Sequence, residues 1–130
     1  MKDQNSRDSM RNFRVWDIYK DGMTFVKEIY LLTQDLPKEE VYGLSSQIRR
    51  AAVSIVNNIS EGAAKSSSKD FNRFLEMSLG SAFEVETLLI VIKDLNYCNA
   101  DSTTDLIEKV CSLEKRINAF IQKIKKEDLK

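Results

Sequence analysis

Gln47, Arg50, Ser54, Asn58 and Glu61 follow one another at spacings of three, four, four and three, so on a helix turning about 100° per residue they share an arc of roughly 80°. A stripe of amide, guanidinium, hydroxyl and carboxylate groups has two uses. It fixes the register of neighbouring helices or subunits through hydrogen bonds, or it receives a polar ligand. Arg50 and Glu61 lie about 16 Å apart along such an axis, so neither satisfies the other, and Ser81 and Glu84 are the candidate partners from another element. A second group is cationic: Lys65, Lys69 and Arg73 flank the hydroxyls of Ser66, Ser67 and Ser68, and these residue types hold phosphates. Arg49 joins them as a fourth expected phosphate contact, and Lys115, Arg116, Lys123, Lys125, Lys126 and Lys130 extend the charge toward the C-terminus. The plainer use of the same residues is a solvated loop and a basic helix end that complements the helix dipole.

What the chain lacks narrows the chemistry further. It has no histidine, which removes the usual general base at neutral pH, the Ser-His and Cys-His nucleophile systems and the commonest zinc and di-iron ligand. Glu61, Glu84 and Glu86 are the acids that could face one another, but di-iron bundles pair such residues with Glu-x-x-His. Cys98 and Cys111 stand 13 residues apart with no CxxC motif, so reduced thiols are expected rather than a metal or redox site. No phosphate loop, dinucleotide fingerprint or nucleophile elbow is present. The expectation is therefore a non-enzyme with no catalytic residue, no metal site and no cofactor. Twenty Lys and Arg balance twenty Asp and Glu, so any polyanion must be held by local patches rather than by a long-range field. Such patches exist: residues 44–80 carry Arg49, Arg50, Lys65, Lys69 and Arg73 against Glu61, Asp70 and Glu76, while residues 84–108 carry six acids against Lys93 alone.

These residues need elements to position them. A chain of 130 residues with 42% hydrophobic and 31% charged content fits one packed domain. One proline and four glycines leave little material for hairpins, so the chain is expected to be all-α. Residues 1–12 read as a flexible N-terminal arm, and residues 13–130 as the bundle. From Phe13, the stripe Val15, Tyr19, Gly22, Val26, Tyr30 and Thr33, flanked by Trp16 and Met23, predicts a first helix that Pro37 ends. Lys38 opens the second element, Gly43 interrupts it, and Leu44, Ile48, Ala51, Ala52, Ile55, Ile59 and Ala63 give it a continuous apolar face. Ser66 to Asp70 form a loop with N-cap candidates. Phe71, Leu75, Ser78, Ala82, Val85, Leu89 and Ile92 then alternate four and three, a coiled-coil-like seam. After a turn at residues 96–101, capped by Asp101 or Ser102, Leu106, Val110, Leu113, Ile117, Phe120 and Ile124 predict the fourth helix. Short connections favour an antiparallel up-down-up-down four-helix bundle. Gly62, Gly80, Ser81 and Ala82 are small enough to let helix axes approach closely. With neither a signal peptide nor an apolar run of about 18 residues, the expected location is the cytoplasm, with no membrane contact.

The run Tyr42-Gly43-Leu44, Gln47-Ile48-Arg49-Arg50-Ala51-Ala52, Ser54-Ile55 and Asn58-Ile59-Ser60-Glu61-Gly62, continued by Phe71, Phe74-Leu75, Gly80-Ser81 and Glu84, resembles the four-helix-bundle proteins encoded by intervening sequences within bacterial 23S ribosomal RNA genes. The resemblance spans roughly Phe13 to Tyr97. Ser60 and Ser78 stand where such proteins usually carry Ala, and Lys65 where Arg is usual. That family is in turn similar to the accessory protein of diversity-generating retroelements, which binds nucleic acid and a reverse transcriptase. The resemblance implies a homo-oligomer, a pentamer in such proteins, with Gln47, Arg50, Ser54, Asn58, Glu61, Gly62, Ser81 and Glu84 as the signature and assembly residues. It also implies RNA or another nucleic acid as a partner, or a protein partner such as a reverse transcriptase. Two functions are thus expected of the chain: RNA binding within a ribonucleoprotein, or a protein-interaction scaffold without direct nucleic-acid contact.

Overall fold

The computed structural model describes residues 10–128; residues 1–9 of the expected arm, and Lys130, lie outside the described residues. Among the described residues there are four long helices and no strand: α1 (Asp17–Thr33), α2 (Ser46–Ala63), α3 (Ser68–Asp94) and α4 (Ala100–Asp128). Each helix packs on two others, α1 on α2 and α4, and α3 on α2 and α4, and all four feed one core.

The seam predicted for α3 is the best match to the core, since Phe71, Leu75, Ser78, Ala82, Val85, Leu89 and Ile92 are all buried. On α2 the apolar face Ile48, Ala51, Ala52, Ile55, Ile59 and Ala63 is buried as expected, with Leu44 half-buried. On α4 the core side chains are Thr103, Leu106, Val110, Leu113, Ile117, Ile121 and Ile124; Phe120 is half-buried and Ile121 takes the inner position. The first helix departs most from its predicted stripe. Its buried residues are Ile18, Gly22, Phe25, Ile29, Leu32 and Thr33, while Val15 is 60% and Tyr30 39% exposed and Met23 is exposed too. Two sets of residues on this helix satisfy the same three-four spacing, and the one with more aliphatic volume is inside.

The start of the first helix also shifts. Trp16 is extended (φ −73°, ψ 137°), so Phe13–Val15 form a separate 3-10 turn and α1 begins at Asp17. Within the expected arm, Arg11 is docked: its Nη1 donates to the carbonyls of Ala63 (3.3 Å) and Lys65, and its guanidinium sits 4.4 Å from the Phe71 ring centroid.

The connections follow from local chemistry. Pro37 disfavours helical geometry at Leu36, and α1 ends four residues earlier at Thr33. In place of a helix running from Lys38, a 3-10 turn (Lys38–Glu40) is followed by a π turn (Val41–Ser45), with Gly43 at φ −106°, ψ −107°. The Glu40 carboxylate accepts from the Leu44 N–H across it. Ser67 caps α3, its Oγ accepting from Asp70 N–H at 3.1 Å. At the end of α3, Asn96 is left-handed (φ 56°), and the N–H groups of Asn96 and Tyr97 return to the carbonyls of Lys93 and Ile92, the Schellman pattern. The cap of α4 is Asn99 rather than Asp101 or Ser102: its Oδ1 accepts from Ser102 N–H at 2.9 Å.

Long-range pairs show which residues share a level. Thr33 meets Arg49, a Cβ on Gly22 would meet Val56, Ser78 Oγ donates to the Ile55 carbonyl at 2.7 Å, and Asn72 Nδ2 donates to the Ile121 carbonyl. At the level of Asn72, Trp16, Phe71 and Phe120 form an aromatic cluster with centroids 5.0 to 5.7 Å apart.

Candidate nucleic-acid interface

That aromatic cluster gathers one end of the molecule, and most of the expected phosphate contacts are there. Lys65 follows α2, whereas Lys69 and Arg73 stand on the first turns of α3. Two of them share Phe74: the Lys65 ammonium lies 4.8 Å and the Arg73 guanidinium 5.7 Å from its ring centroid. Lys69 and Arg73 are exposed, and Arg73 meets the exposed Asp70 carboxylate at 3.6 Å, a surface pair worth at most about 1 kcal/mol. Arg11 and Arg14 join this group. A hollow of about 580 Å³ is lined by Arg11, Phe13, Arg14, Ser60 and Lys65, and the Arg14 guanidinium lies over the Phe13 ring. Lys123, Lys125 and Lys126 follow Phe120 and Ile121 within two turns of α4, so they crown the same end. Guanidinium and ammonium groups on aromatic rings, beside free cations, suit a phosphate backbone with unstacked bases.

Arg49 does not belong to this group. Sixteen helical residues separate it from Lys65, about 24 Å of rise. It sits instead at the start of α2, where its Nε donates to Thr33 Oγ1 at 2.8 Å and its guanidinium lies 4.6 Å from the Tyr30 centroid. Arg116 is likewise committed elsewhere, to Asp21 of α1 at 2.6 Å.

The polar stripe of α2 is split between a seam and a surface. Asn58 Nδ2 donates to the carbonyl and the Oγ of Ser54, both at 2.9 Å, and Ser81 Oγ of α3 donates to Ser54 Oγ at 2.8 Å. Gly62 closes the seam, because a Cβ there would lie 2.7 Å from Phe74 Cβ and 3.3 Å from the Phe71 carbonyl oxygen. Gln47, Arg50, Glu61 and Glu84 face outward and exposed. Glu61 accepts from its own neighbour Asn57, and among the described residues Arg50 and Glu84 form no ion pair. Gly80 departs from the expected close packing: a Cβ there would meet nothing within 4 Å.

One acidic group is placed by the structure and not by sequence reasoning. Glu86 turns away from Glu61 and Glu84 toward α4, where one ligand atom each of Glu86, Cys111 and Glu114 lies within 4.8 Å of the others. A thiolate with two carboxylates could hold a borderline divalent ion. Burial, then the Glu86 carboxylate beside it, pushes the Glu114 carboxyl up to about 8, and its Oε2 is enclosed without a hydrogen-bond partner. Burial also raises the Cys111 thiol. The i, i+3 spacing of Cys111 and Glu114 on α4 was the available signal; only the α3 to α4 register supplies Glu86. Both cysteines are free, and no described helix is long and apolar enough to cross a membrane.

Residues 14–119 match the family of 23S rRNA-intervening sequence proteins. No curated protein matches the chain. Among solved structures, a protein of unknown function from the S23 ribosomal protein family of Bacteroides thetaiotaomicron superposes with a TM-score of 0.75 at 24% identity, over 80% of this chain and 97% of that one. At that identity the likeness is one of fold.

Proposed function

The chain belongs to the 23S rRNA-intervening sequence protein family, and from that footing we propose that it is a non-enzymatic, homo-oligomeric, cytoplasmic protein that binds RNA through the basic end of its four-helix bundle. The observation that carries the reading is the convergence of Arg11, Arg14, Lys65, Lys69, Arg73 and the α4 lysines around Phe74 and the Trp16 cluster. The chain's net charge is zero, so contact depends on this one patch rather than on overall attraction. An antiparallel up-down-up-down path belongs to the proposal and is supported by the pairs Thr33 with Arg49, Gly22 with Val56, Ile55 with Ser78, and Asn72 with Ile121. Assembly also belongs to the proposal, with five copies as the resemblance implies, and contact through the α2 and α3 face is supported by the outward-facing Gln47, Arg50, Glu61 and Glu84 and the open space over Gly80. Two free thiols suit a reducing cytoplasm.

Fluorescence anisotropy of a structured RNA titrated with the protein at about 50 and 200 mM salt tests the reading. Lys65→Glu, Lys69→Glu and Arg73→Glu together are expected to weaken binding and to lower the salt slope by roughly 3, about 0.9 per phosphate contact. Binding that ignores the triple reversal overturns the site; no binding at micromolar protein and low salt overturns the function. A second reading, a protein scaffold without nucleic-acid contact, draws on the exposed apolar Met77, Phe83 and Ile90 of α3. Its partner would survive nuclease treatment of a lysate.

A further inference from the structure

A second hollow whose charged lining is wholly cationic lies between the end of α1 and the start of α2. It measures about 610 Å³, and its lining includes Tyr30, Thr33, Lys38, Tyr42, Arg49 and Arg50; ligand sites occupy roughly 300–1,000 Å³. The cleft exists because Pro37 and Gly43 keep the chain from running straight into α2. The 3-10 and π turns carry it outward and leave Tyr42 96% exposed.

Its cations are differently prepared. Arg49 is held by one nitrogen: Nε donates to Thr33 Oγ1, and the Tyr30 ring supports the guanidinium plane. Thr33 is itself fixed by donating to the Tyr30 carbonyl at 2.8 Å. The two terminal nitrogens of Arg49 are thereby left for a forked contact of the kind phosphates accept. Arg50 and Lys38 are exposed, and among the described residues neither pairs with a carboxylate. The acids nearest in sequence, Asp35, Glu39 and Glu40, are not part of the lining, and Glu40 is turned to the Leu44 N–H. The cleft therefore presents three cations beside two phenol rings. A simple anion would use the cations and leave the Tyr42 ring idle, whereas a planar base bearing a phosphate uses both.

We propose that this cleft binds a nucleoside monophosphate unit, its phosphate on Arg49, Arg50 and Lys38 and its base against Tyr42, either as a free nucleotide or as one link of a single strand. The single-strand form rests on the RNA reading above; the free-nucleotide form stands without it.

Isothermal titration of the full chain with adenosine monophosphate, adenosine, ribose 5-phosphate and a single-stranded hexa-adenylate tests this. Adenosine monophosphate or the hexamer binds, and adenosine and ribose 5-phosphate bind at least tenfold more weakly. Tyr42→Ala costs roughly 5- to 100-fold, the range of one stacked base, and Arg50→Glu abolishes binding. Lys20→Glu, an equal change of charge on an exposed residue of α1, leaves it unchanged. Binding of the free nucleotide assigns a nucleotide site; binding of the hexamer alone assigns one link of a strand. Tyr42 and Arg50 are exposed, so unchanged circular dichroism and unchanged mass by light scattering of both variants separate loss of binding from loss of fold or of assembly. Equal affinity for ribose 5-phosphate and adenosine monophosphate, or indifference of both nucleotide probes to the two substitutions, overturns the proposal. If structured RNA responds to the reversal of Lys65, Lys69 and Arg73 but not to Arg50→Glu or Tyr42→Ala, the single-strand form of the proposal fails and the basic end stands; the converse leaves the cleft as the RNA contact.

Discussion

Glu114 shows how one side chain couples this fold to pH. Its carboxyl ionises near 8 in the folded chain because it is buried beside Glu86, while in the unfolded chain it ionises near the usual value of about 4.3. Between those values the folded state holds a proton that the unfolded state has released, so this group makes stability fall as pH rises from about 4.3 to about 8. The charges facing it are Glu86 and, around Cys111, Lys115. Glu114→Gln removes the titration and is expected to raise the melting temperature at pH 8 while changing it little at pH 4; an equal shift at both values contradicts the buried-acid account. Gly62 is a second single-residue lever. Alanine would gain up to about 1 kcal/mol of helix propensity, but its Cβ would collide with Phe74 Cβ and press on the Phe71 carbonyl, and α2 would have to leave α3. Gly62→Ala is expected to lose about 1–3 kcal/mol in urea denaturation.

At the scale of elements, what ends a helix matters as much as what fills it. The turn from α3 to α4 hangs on Asn96 in the left-handed region with two return hydrogen bonds, and Asn96→Ala should cost about 1 kcal/mol in the same assay; no loss would mean that packing of Tyr97 alone holds the turn. Such details show what was legible in the sequence. The α3 seam was legible because Phe71, Leu75, Ser78, Ala82, Val85, Leu89 and Ile92 keep a strict four-three alternation along the whole helix. On α1, Tyr19, Gly22, Val26 and Tyr30 keep helical spacings of three and four just as Ile18, Gly22, Phe25, Ile29 and Leu32 do, and periodicity cannot choose between two stripes that both fit; neighbouring helices choose. The basic loop was legible from Lys65, Lys69 and Arg73, but Arg11 and Arg14 carry no periodic signal and enter only through tertiary contacts. Grouping Arg49 with them overlooked the length of α2, which places it at the opposite end. The Ser54, Asn58 and Ser81 seam follows from the stripe, whereas Glu86 needed the α3 to α4 register.

For the whole molecule, Gly80 decides whether the outward face of α2 and α3 is free or covered. A Cβ there meets nothing within 4 Å in one chain, and the position is exposed, so Gly80→Trp should leave the helical content of a monomer intact. If copies assemble through this face, the same substitution lowers the mass seen by native mass spectrometry or light scattering to that of one chain, 15.0 kDa. An unchanged oligomer would place assembly elsewhere. The two ends of the bundle differ in build, cations around aromatic rings at one and a cleft with two tyrosines at the other. The chain has one tryptophan, and its ring packs against Phe71 and Phe120, with Arg11 over that same Phe71 ring. Light emitted by that indole, excited where tyrosine does not absorb, therefore reports on the basic end alone, so a ligand held there is told apart from one in the cleft in one cuvette with no label attached.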